Sequence, residues 1–185
     1  MFLKRTKIRS YEMGLYFRDR EFRGVLDAGT HWILDLLGRV RVDVVSRRDP
    51  WLVHDKLDLI VQSGALGDRA VVLDLKDHQR GLVWIDGRFS HILLPGLYAY
   101  WAGQKEVQIE VIDARQVRFE HADLKVISRS RVAPSALDVC TVERDRLGVL
   151  FQDGVYVQTL PPGLYAFWKG AADARVVEVD LRETT

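Results

Sequence analysis

The sequence predicts a mainly β protein with short helices, an α+β fold made of tandem repeats of a small antiparallel β unit plus one helix. Three observations predict it. Segments that begin at Gly14, Gly81 and Gly148 are each 67 residues apart, Asp-Gly pairs stand between apolar runs, and helical spacing follows the strands. A period this regular is typical of modular arrays.

The repeat is strongest between its second and third copies. Ten of the twenty-one residues in 81–101 are identical in 148–168 without a gap. The period divides the chain into 1–50 (first β unit), 51–70 (helical connector), 71–117 (second β unit), 118–137 (helical connector) and 138–185 (third β unit, truncated before its helix). One such unit buries too little surface to offset its ordering entropy, so neighbouring units are expected to stack.

Each unit is expected to hold about four short antiparallel strands. Asp86-Gly87 and Asp153-Gly154 predict type I′ hairpins, because that turn needs positive φ at both central residues. The first copy has Asp19-Arg20. Because arginine resists positive φ, a different or looser turn is expected there.

Further bends are predicted where Pro precedes Gly, a pattern typical of type II turns. The residues predicted to form the repeat's structural turns are Gly14, Gly29, Gly81, Asp86, Gly87, Pro95, Gly96, Gly148, Asp153, Gly154, Pro162 and Gly163.

The last strand of the first unit shows polar and apolar alternation. Val40, Val42 and Val44 are expected to point inward, as in a strand with one wet face. The third copy places Glu178 at an inward position, so its register slips by one or its edge faces a missing neighbour. Helical spacing from Val53 to Val61, ended by Gly64, predicts the connector helix.

Charge and cysteine content narrow the function classes. Lys plus Arg number 27 against 26 Asp plus Glu, a balance that argues against a dedicated nucleic-acid partner. Cys140 is the single cysteine and is expected to be a buried strand thiol. A cytoplasmic protein, peripheral to the inner membrane if attached at all, is expected, because no apolar run is long enough to span a bilayer.

The N-terminus is locally basic, with Lys4, Arg5, Lys7 and Arg9 close together. One hypothesis is contact with an anionic membrane surface, where each basic residue contributes about 1 kcal/mol. Only Phe2, Leu3 and Ile8 are available there for insertion into lipid. The alternative is a solvated tail or the edge of a first strand.

Candidate chemical residues fit structural roles better than catalysis. Four of the five tryptophans, Trp32, Trp84, Trp101 and Trp168, are predicted to pack in the core and not to form a ligand platform. His54 and His121 are repeat equivalents near predicted helix starts, which favours a local hydrogen bond. Asp113 with Arg115, and Asp180 with Arg182, are predicted to form a salt bridge or to pin a loop; the alternative is a contact between neighbouring subunits. We therefore predict no catalytic residues, cofactor, metal or small-molecule substrate, and no enzyme activity.

Two copies of the repeat resemble the opening of a stomatin/prohibitin/flotillin (SPFH) domain. The matching segments are 81–89, 94–98 and 111–115 in the second copy, and 148–151, 161–165 and 179–182 in the third. The chain as a whole resembles the N-terminal extension of long bacterial slipins. This resemblance implies a non-catalytic protein that oligomerises into rings or cages, often at membranes, and organises partner proteins. It assigns no functional residue, and the coiled coil and the remainder of an SPFH domain are not in this sequence.

Two function hypotheses follow. The first is a scaffold or assembly module that self-associates or organises a partner protein. The alternative is a recognition module that binds a protein or peptide by strand addition at an exposed sheet edge.

Overall fold

The computed structural model describes residues 3–182. The strands are β1 (Leu3–Ile8), β2 (Glu12–Arg18), β3 (Glu21–Leu26), β4 (Gly29–Leu34), β5 (Val40–Ser46), β6 (Ala70–Leu75), β7 (Gln79–Ile85), β8 (Arg88–Leu93), β9 (Gly96–Trp101), β10 (Val107–Asp113), β11 (Arg118–Phe119), β12 (Leu137–Val142), β13 (Arg146–Gln152), β14 (Val155–Leu160), β15 (Gly163–Trp168) and β16 (Ala174–Asp180). The α-helices are α1 (Leu57–Gln62), α2 (Leu124–Ser128) and α3 (Ala133–Ala136), and Gly67–Arg69 forms a 3-10 turn. The fold is thus mostly β, with few short helices.

The element boundaries recur with the sequence period. β1, β6 and β12 begin at Leu3, Ala70 and Leu137, and the other four strands of each set begin and end at the same offset of 67 residues. The helices α1 and α2 begin at Leu57 and Leu124, again 67 residues apart. Each set has five strands, so the expectation of about four missed the strand that precedes the first glycine.

The strands form several small sheets. β2 lies between β3 and β5, β7 between β8 and β10, and β13 between β14 and β16. The remaining strands form the pairs β1–β4 and β6–β9, and the sheet in which β15 lies between β11 and β12. The pairings of β2, β13 and β15 with their neighbours are antiparallel.

Two compact units make up the chain. The first comprises Met1–Asp74 with Gly96–Val107, and the second comprises Leu75–Pro95 with Gln108–Thr185. The division cuts through the second repeat because β9 shares a buried core with α1, whereas β7 and β8 share a core with α2. The two units therefore interleave along the sequence.

The core of the first unit joins β2, the first connector and β9. Its buried side chains are Met13, Leu15, Phe17, Leu52, Ile60, Leu66, Ala99 and Trp101. The N–H of Leu52 donates to the Ala99 carbonyl at 2.8 Å, and the N–H of Trp101 donates to the Pro50 carbonyl at 2.7 Å. Because α1 has only six residues and no side-chain cap, its stability comes from this packing.

The main core of the second unit repeats this arrangement. Its buried side chains are Leu82, Ala114, Phe119, Ile127, Ala136, Leu137, Ala166 and Trp168. The N–H of Trp168 donates to the Val117 carbonyl at 2.9 Å, 67 positions after the Trp101–Pro50 bond. A further cluster is formed by Val142, Leu150, Leu160, Tyr165 and Phe167.

The predicted hairpin turns are present. Asp86 and Gly87 have φ of 51° and 72°, and Asp153 and Gly154 have φ of 50° and 79°, as type I′ turns require. The expectation of a different turn in the first copy was wrong. Arg20 adopts φ of 69° after Asp19 at 54°, because the antiparallel register of β2 and β3 imposes the same two-residue connection.

Other glycines predicted at turns have different roles. Gly14, Gly81 and Gly148 lie inside β2, β7 and β13, where a Cβ on Gly14 would approach Ile8 Cδ1 to 2.5 Å. They are needed for close packing, not for a turn.

The Pro-Gly bends are not type II turns. Gly96 has φ of 149° at the start of β9, far from the roughly +80° of a type II turn. Gly29 begins β4 with φ of 150°, and Gly163, outside the positive-φ set, begins β15 after Pro162.

The predicted inward alternation of β5 is also corrected. Val40 is buried, but Val44 is exposed and Val45 packs against the core instead. Glu178, the repeat equivalent of Val44, is exposed likewise and binds Arg146 at 2.9 Å. The register of β16 on β13 matches that of β5 on β2, so no slip occurs.

Candidate interaction surfaces

Both connector histidines share two contacts, and Nδ1 of His54 also lies 3.2 Å from Oδ1 of Asp55. Nε2 of His54 lies 3.2 Å from Oδ2 of Asp43, and its Nδ1 accepts the N–H of Lys56 at 3.1 Å. At the equivalent positions, Nε2 of His121 lies 3.0 Å from Oε2 of Glu110, and its Nδ1 accepts the N–H of Asp123 at 2.9 Å. Because Nδ1 is an acceptor, the ring proton is on Nε2 and points to the carboxylate.

The carboxylate that each histidine contacts lines an open cleft. The first, about 550 Å³, is lined by Phe17, Arg20, Arg39, Arg41, Asp43 and Lys56 among others. The second, about 540 Å³, is lined by Trp84, Gln108, Glu110, His121 and Asp123 among others. The His54 ring stacks on Phe17 at 5.5 Å and its side chain is 8% exposed. With both nitrogens bonded to the protein, this ring positions the connector, and the arrangement presents no free base to the cleft.

The carboxyl of Asp43 is held ionised. Desolvation opposes its ionisation, but hydrogen bonds from Arg41 and His54 outweigh that effect and lower its pKa. The Arg41 guanidinium lies 2.6 Å from the Asp43 carboxylate. An acid with a lowered pKa is a poor proton donor near neutral pH, which fits a structural role.

The two predicted Asp-Arg pairs differ. Nε of Arg115 donates to Asp113 at 3.0 Å and lowers the pKa of that carboxyl to about 2. The N–H of Arg182 donates to Asp180 at 2.9 Å, but its guanidinium binds Asp145. The second pair therefore pins the chain through a backbone N–H and is not a side-chain salt bridge, so it takes the other of the two predicted roles.

No group of metal-ligating side chains occurs among residues 3–182. Cys140 lies in β12 and is half-buried, and burial raises the pKa of its thiol. A thiol with a raised pKa holds little thiolate at neutral pH. Cys140 is therefore a weak nucleophile.

The core prediction for these four tryptophans holds for three of them. Trp101 and Trp168 are buried, and Trp84 packs partly buried against its core. Trp32 is 58% exposed, so its assignment to the core was wrong. The reason lies in its surroundings: its repeat equivalents Ala99 and Ala166 lie under a connector, and the face of Trp32 does not.

One sheet face of the second unit is apolar and uncovered. We call it the β13 face; its residues are Leu147, Val149, Phe151, Tyr156, Thr159, Val177 and Val179, on β13, β14 and β16, with Arg175 beside Phe151 as its one charged residue. Phe151 and Tyr156 form an edge-on ring pair, as Phe17 and Phe22 do in the first repeat. The equivalent faces of β2 and β7 are packed against α1 and α2. On the β13 face, Tyr156 is 56% exposed and Val177 and Val179 are exposed too.

The strand β14 is also an exposed sheet edge. All its residues but Leu160 are exposed, and its sequence VYVQTL has no charge. The equivalent edge β3 carries the ion pair Glu21–Arg23 at 2.7 Å, and β8 begins with Arg88. Charged residues on an edge discourage pairing with other chains, and β14 lacks them.

The four basic residues predicted to contact a membrane do not all lie in one element. Lys4, Arg5 and Lys7 lie in β1, with Lys4 donating to the Val40 carbonyl at 3.5 Å. Arg9 follows the strand and donates to the Tyr11 hydroxyl at 2.7 Å. Ile8 is buried, so it is not available for insertion into lipid, and Phe2 lies outside the described residues.

Pairing of β1 with β4 brings new residues to this basic strand. Leu3 lies opposite Leu34, and Arg5 lies opposite Trp32 with its guanidinium 5.5 Å from the ring centre. We call this surface the β1–β4 face; its residues are Leu3, Arg5, Lys7, Trp32 and Leu34. Leu36 and Leu37, in the loop that directly follows β4, are exposed as well. The sequence carried one signal of it, since Trp32 stands where the other copies have alanine.

No helix among residues 3–182 is long and apolar enough to cross a membrane. No protein-family model, curated protein or solved structure matches the chain.

Proposed function

We propose that this chain is a non-catalytic scaffold module, slipin-like within the SPFH proteins, made of three tandem copies of one β unit. The common 67-residue offset of its strand boundaries and of the Trp101–Pro50 and Trp168–Val117 hydrogen bonds supports the repeat. The occupied ring nitrogens of His54 and His121 support a structural, not catalytic, role.

Self-association is the activity that we propose for this module. The observation that carries it is the β13 face, whose equivalents on β2 and β7 are covered while it is open. Contiguous apolar patches on a protein surface mark interaction sites. Burial of such area releases about 25 cal/mol per Å².

Residue 177 argues for an apolar partner. Val177 stands where Asp43 and Glu110 bind the connector histidines, so the β13 face lacks the carboxylate that such a histidine needs. An apolar face is self-complementary, and a second copy brings the same valines and aromatics to it. A two-fold contact of like faces is the commonest protein interface.

Sedimentation velocity of wild type and Val179→Glu tests this proposal. A buried glutamate has no partner in an apolar contact, so the dissociation constant is expected to rise at least tenfold, about 1.4 kcal/mol. Val53→Glu is the matched control, because Val53 is highly exposed in the first connector. Equal association of all three proteins would refute assembly through the β13 face.

A second candidate function, recognition by strand addition, is favoured by the uncharged edge β14. Main-chain hydrogen bonds at a free edge give affinity for an extended peptide, and side-chain pockets give specificity. Val157 has no register partner in β13, because the pairing shifts between Leu150 and Phe151.

Titration with a synthetic peptide of residues 155–160 tests strand addition. Binding is expected to protect the β14 amides from hydrogen exchange, and Val157→Lys is expected to abolish it by placing a charge at the edge. The matched control is Val72→Lys in β6, also an exposed strand valine. If the peptide binds both variants equally, or leaves β14 unprotected, the edge is not the site.

A further inference from the structure

The β1–β4 face differs from its repeat equivalents in two independent ways, and the first is apolar exposure. Trp32 and Leu34 are each 58% exposed, and Leu36 and Leu37 are 59% and 70% exposed. Ala99 and Trp101, the equivalents of the first two, are 1% exposed under the first connector. The described residues place no connector over the β1–β4 face.

The second difference is charge. The strand pair β1–β4 contains Lys4, Arg5 and Lys7 and no acidic residue, a charge of +3. The equivalent pairs β6–β9 and β12–β15 contain only Asp74 and Asp138 respectively, a charge of −1 each. The whole chain has a formal charge of +1, so this strand pair is locally and selectively basic.

The cations on the face itself are available to a partner. Leu3, Arg5 and Lys7 are every second residue of β1, so their side chains lie on the same side of the strand pair. Arg5 stacks on Trp32, and neither Arg5 nor Lys7 forms an ion pair within residues 3–182. Of the nearby acids, Asp27 pairs with Arg69. Asp35 accepts the backbone N–H groups of Arg39 and Val40, and the cation of β1 that interacts with its charge is Lys4, on the other side of the strand.

We propose that the β1–β4 face docks on an anionic lipid surface, with Trp32, Leu34, Leu36 and Leu37 entering the headgroup boundary and Arg5 and Lys7 binding lipid phosphates. Tryptophan and leucine beside lysine and arginine are the composition of interfacial anchors. This inference rests on the proposed scaffold role and names the surface that the scaffold would organise.

Two other occupants fit less well. A second copy's β13 face carries Arg175 next to Phe151 and no acid, so it repels Arg5 and Lys7. Nucleic acid would satisfy the cations but leave the exposed leucines at positions 34, 36 and 37 without an apolar partner. A lipid surface satisfies both groups at once.

Co-sedimentation with vesicles tests the inference. Probes are pure phosphatidylcholine and phosphatidylcholine mixed with phosphatidylserine. Wild type is expected to bind the mixed vesicles, more weakly at high salt, and to bind neutral vesicles poorly. Arg5→Gln/Lys7→Gln is expected to weaken binding by about fivefold per charge, and Leu36→Ser/Leu37→Ser by about tenfold or more.

Matched controls are Lys105→Gln/Arg144→Gln for charge and Val53→Ser/Val126→Ser for apolar area, all exposed positions. If the leucine variant binds mixed vesicles as tightly as the wild type, binding is electrostatic adsorption alone and the inference is overturned. Failure of the wild type to bind mixed vesicles would also overturn it. A loss of self-association in these variants with unchanged vesicle binding would reassign the face to a second copy.

Self-association and lipid docking are tested independently, because the mass of the protein is measured in the absence of vesicles. Val179→Glu is expected to keep vesicle binding in its monomeric form, since Val179 is not on the β1–β4 face. If that monomer does not bind mixed vesicles, the face by itself does not dock and the inference is overturned.

Discussion

Nε2 of His54 lies 3.2 Å from Oδ2 of Asp43, and the pair ties the first connector to the sheet of β2, β3 and β5. His54→Ala removes this contact and the bond from the N–H of Lys56, and leaves a gap against Phe17. The free energy of unfolding is expected to fall by about 1–3 kcal/mol. Denaturant unfolding measures it, with His78→Ala at an exposed position as control.

A double-mutant cycle isolates the pair itself. Asp43→Asn and His54→Ala are expected to couple by about 1 kcal/mol. The equivalent cycle for Glu110 and His121 should give less, because Glu110 is half exposed and Asp43 is 20% exposed. A coupling near zero in the first cycle would show that the histidine acts through packing alone.

Arg20 at φ of 69° makes the first hairpin strained. A left-handed conformation costs a non-glycine residue about 1–2 kcal/mol. Glycine avoids this cost but loses more backbone entropy on folding, which offsets part of the gain. Arg20→Gly is therefore expected to raise the free energy of unfolding by about 0.5–1 kcal/mol. Gly154→Arg, the same exchange in reverse, should lower it, and a destabilised Arg20→Gly would contradict this account of the turn.

The close approach of β1 to Gly14 predicts a rescue. Gly14→Ala brings a Cβ within 2.5 Å of Ile8 Cδ1, so the variant is expected to lose about 1–3 kcal/mol of stability. Ile8→Val removes that Cδ1, and the double variant should recover part of the loss. Independent, additive losses would mean that the cost of alanine lies in the contacts with Leu26 and Val42 instead.

Burial raises the pKa of Tyr100 to about 12. The neutral phenol is favoured in the folded state, so its contribution to stability is complete below pH 10, the usual tyrosine value, and is lost as pH rises from about 10 to about 12. The free energy of unfolding of the wild type is expected to fall between pH 10 and about pH 12, and this slope is expected to be smaller in Tyr100→Phe. Tyr156→Phe, at an exposed position, is the control. A slope in Tyr100→Phe equal to that of the wild type would contradict this prediction.

Local chemistry made some features predictable. Asp86-Gly87 and Asp153-Gly154 specify their turns through backbone conformation alone, and the helix near Leu57 and Ile60 follows from spacing against one core. The histidine contacts were predictable because His54 and His121 recur beside helix starts.

Features that depend on tertiary neighbours were not predictable. The sequence of β1 shows no alternation of polar and apolar residues, so it is typical of a charged tail. The strand forms because it pairs with β4. Trp32 resembles a core residue until the connector over Ala99 is seen to have no counterpart over β4. Arg20 takes its conformation from the register of β2 and β3, against its own preference.

The most direct test of the scaffold proposal is the mass of the wild-type chain by sedimentation equilibrium over a wide concentration range. Association through the β13 face predicts masses that rise with concentration to multiples of 21.2 kDa and that return to 21.2 kDa in Val179→Glu. A single species of 21.2 kDa for wild type at every concentration would contradict it.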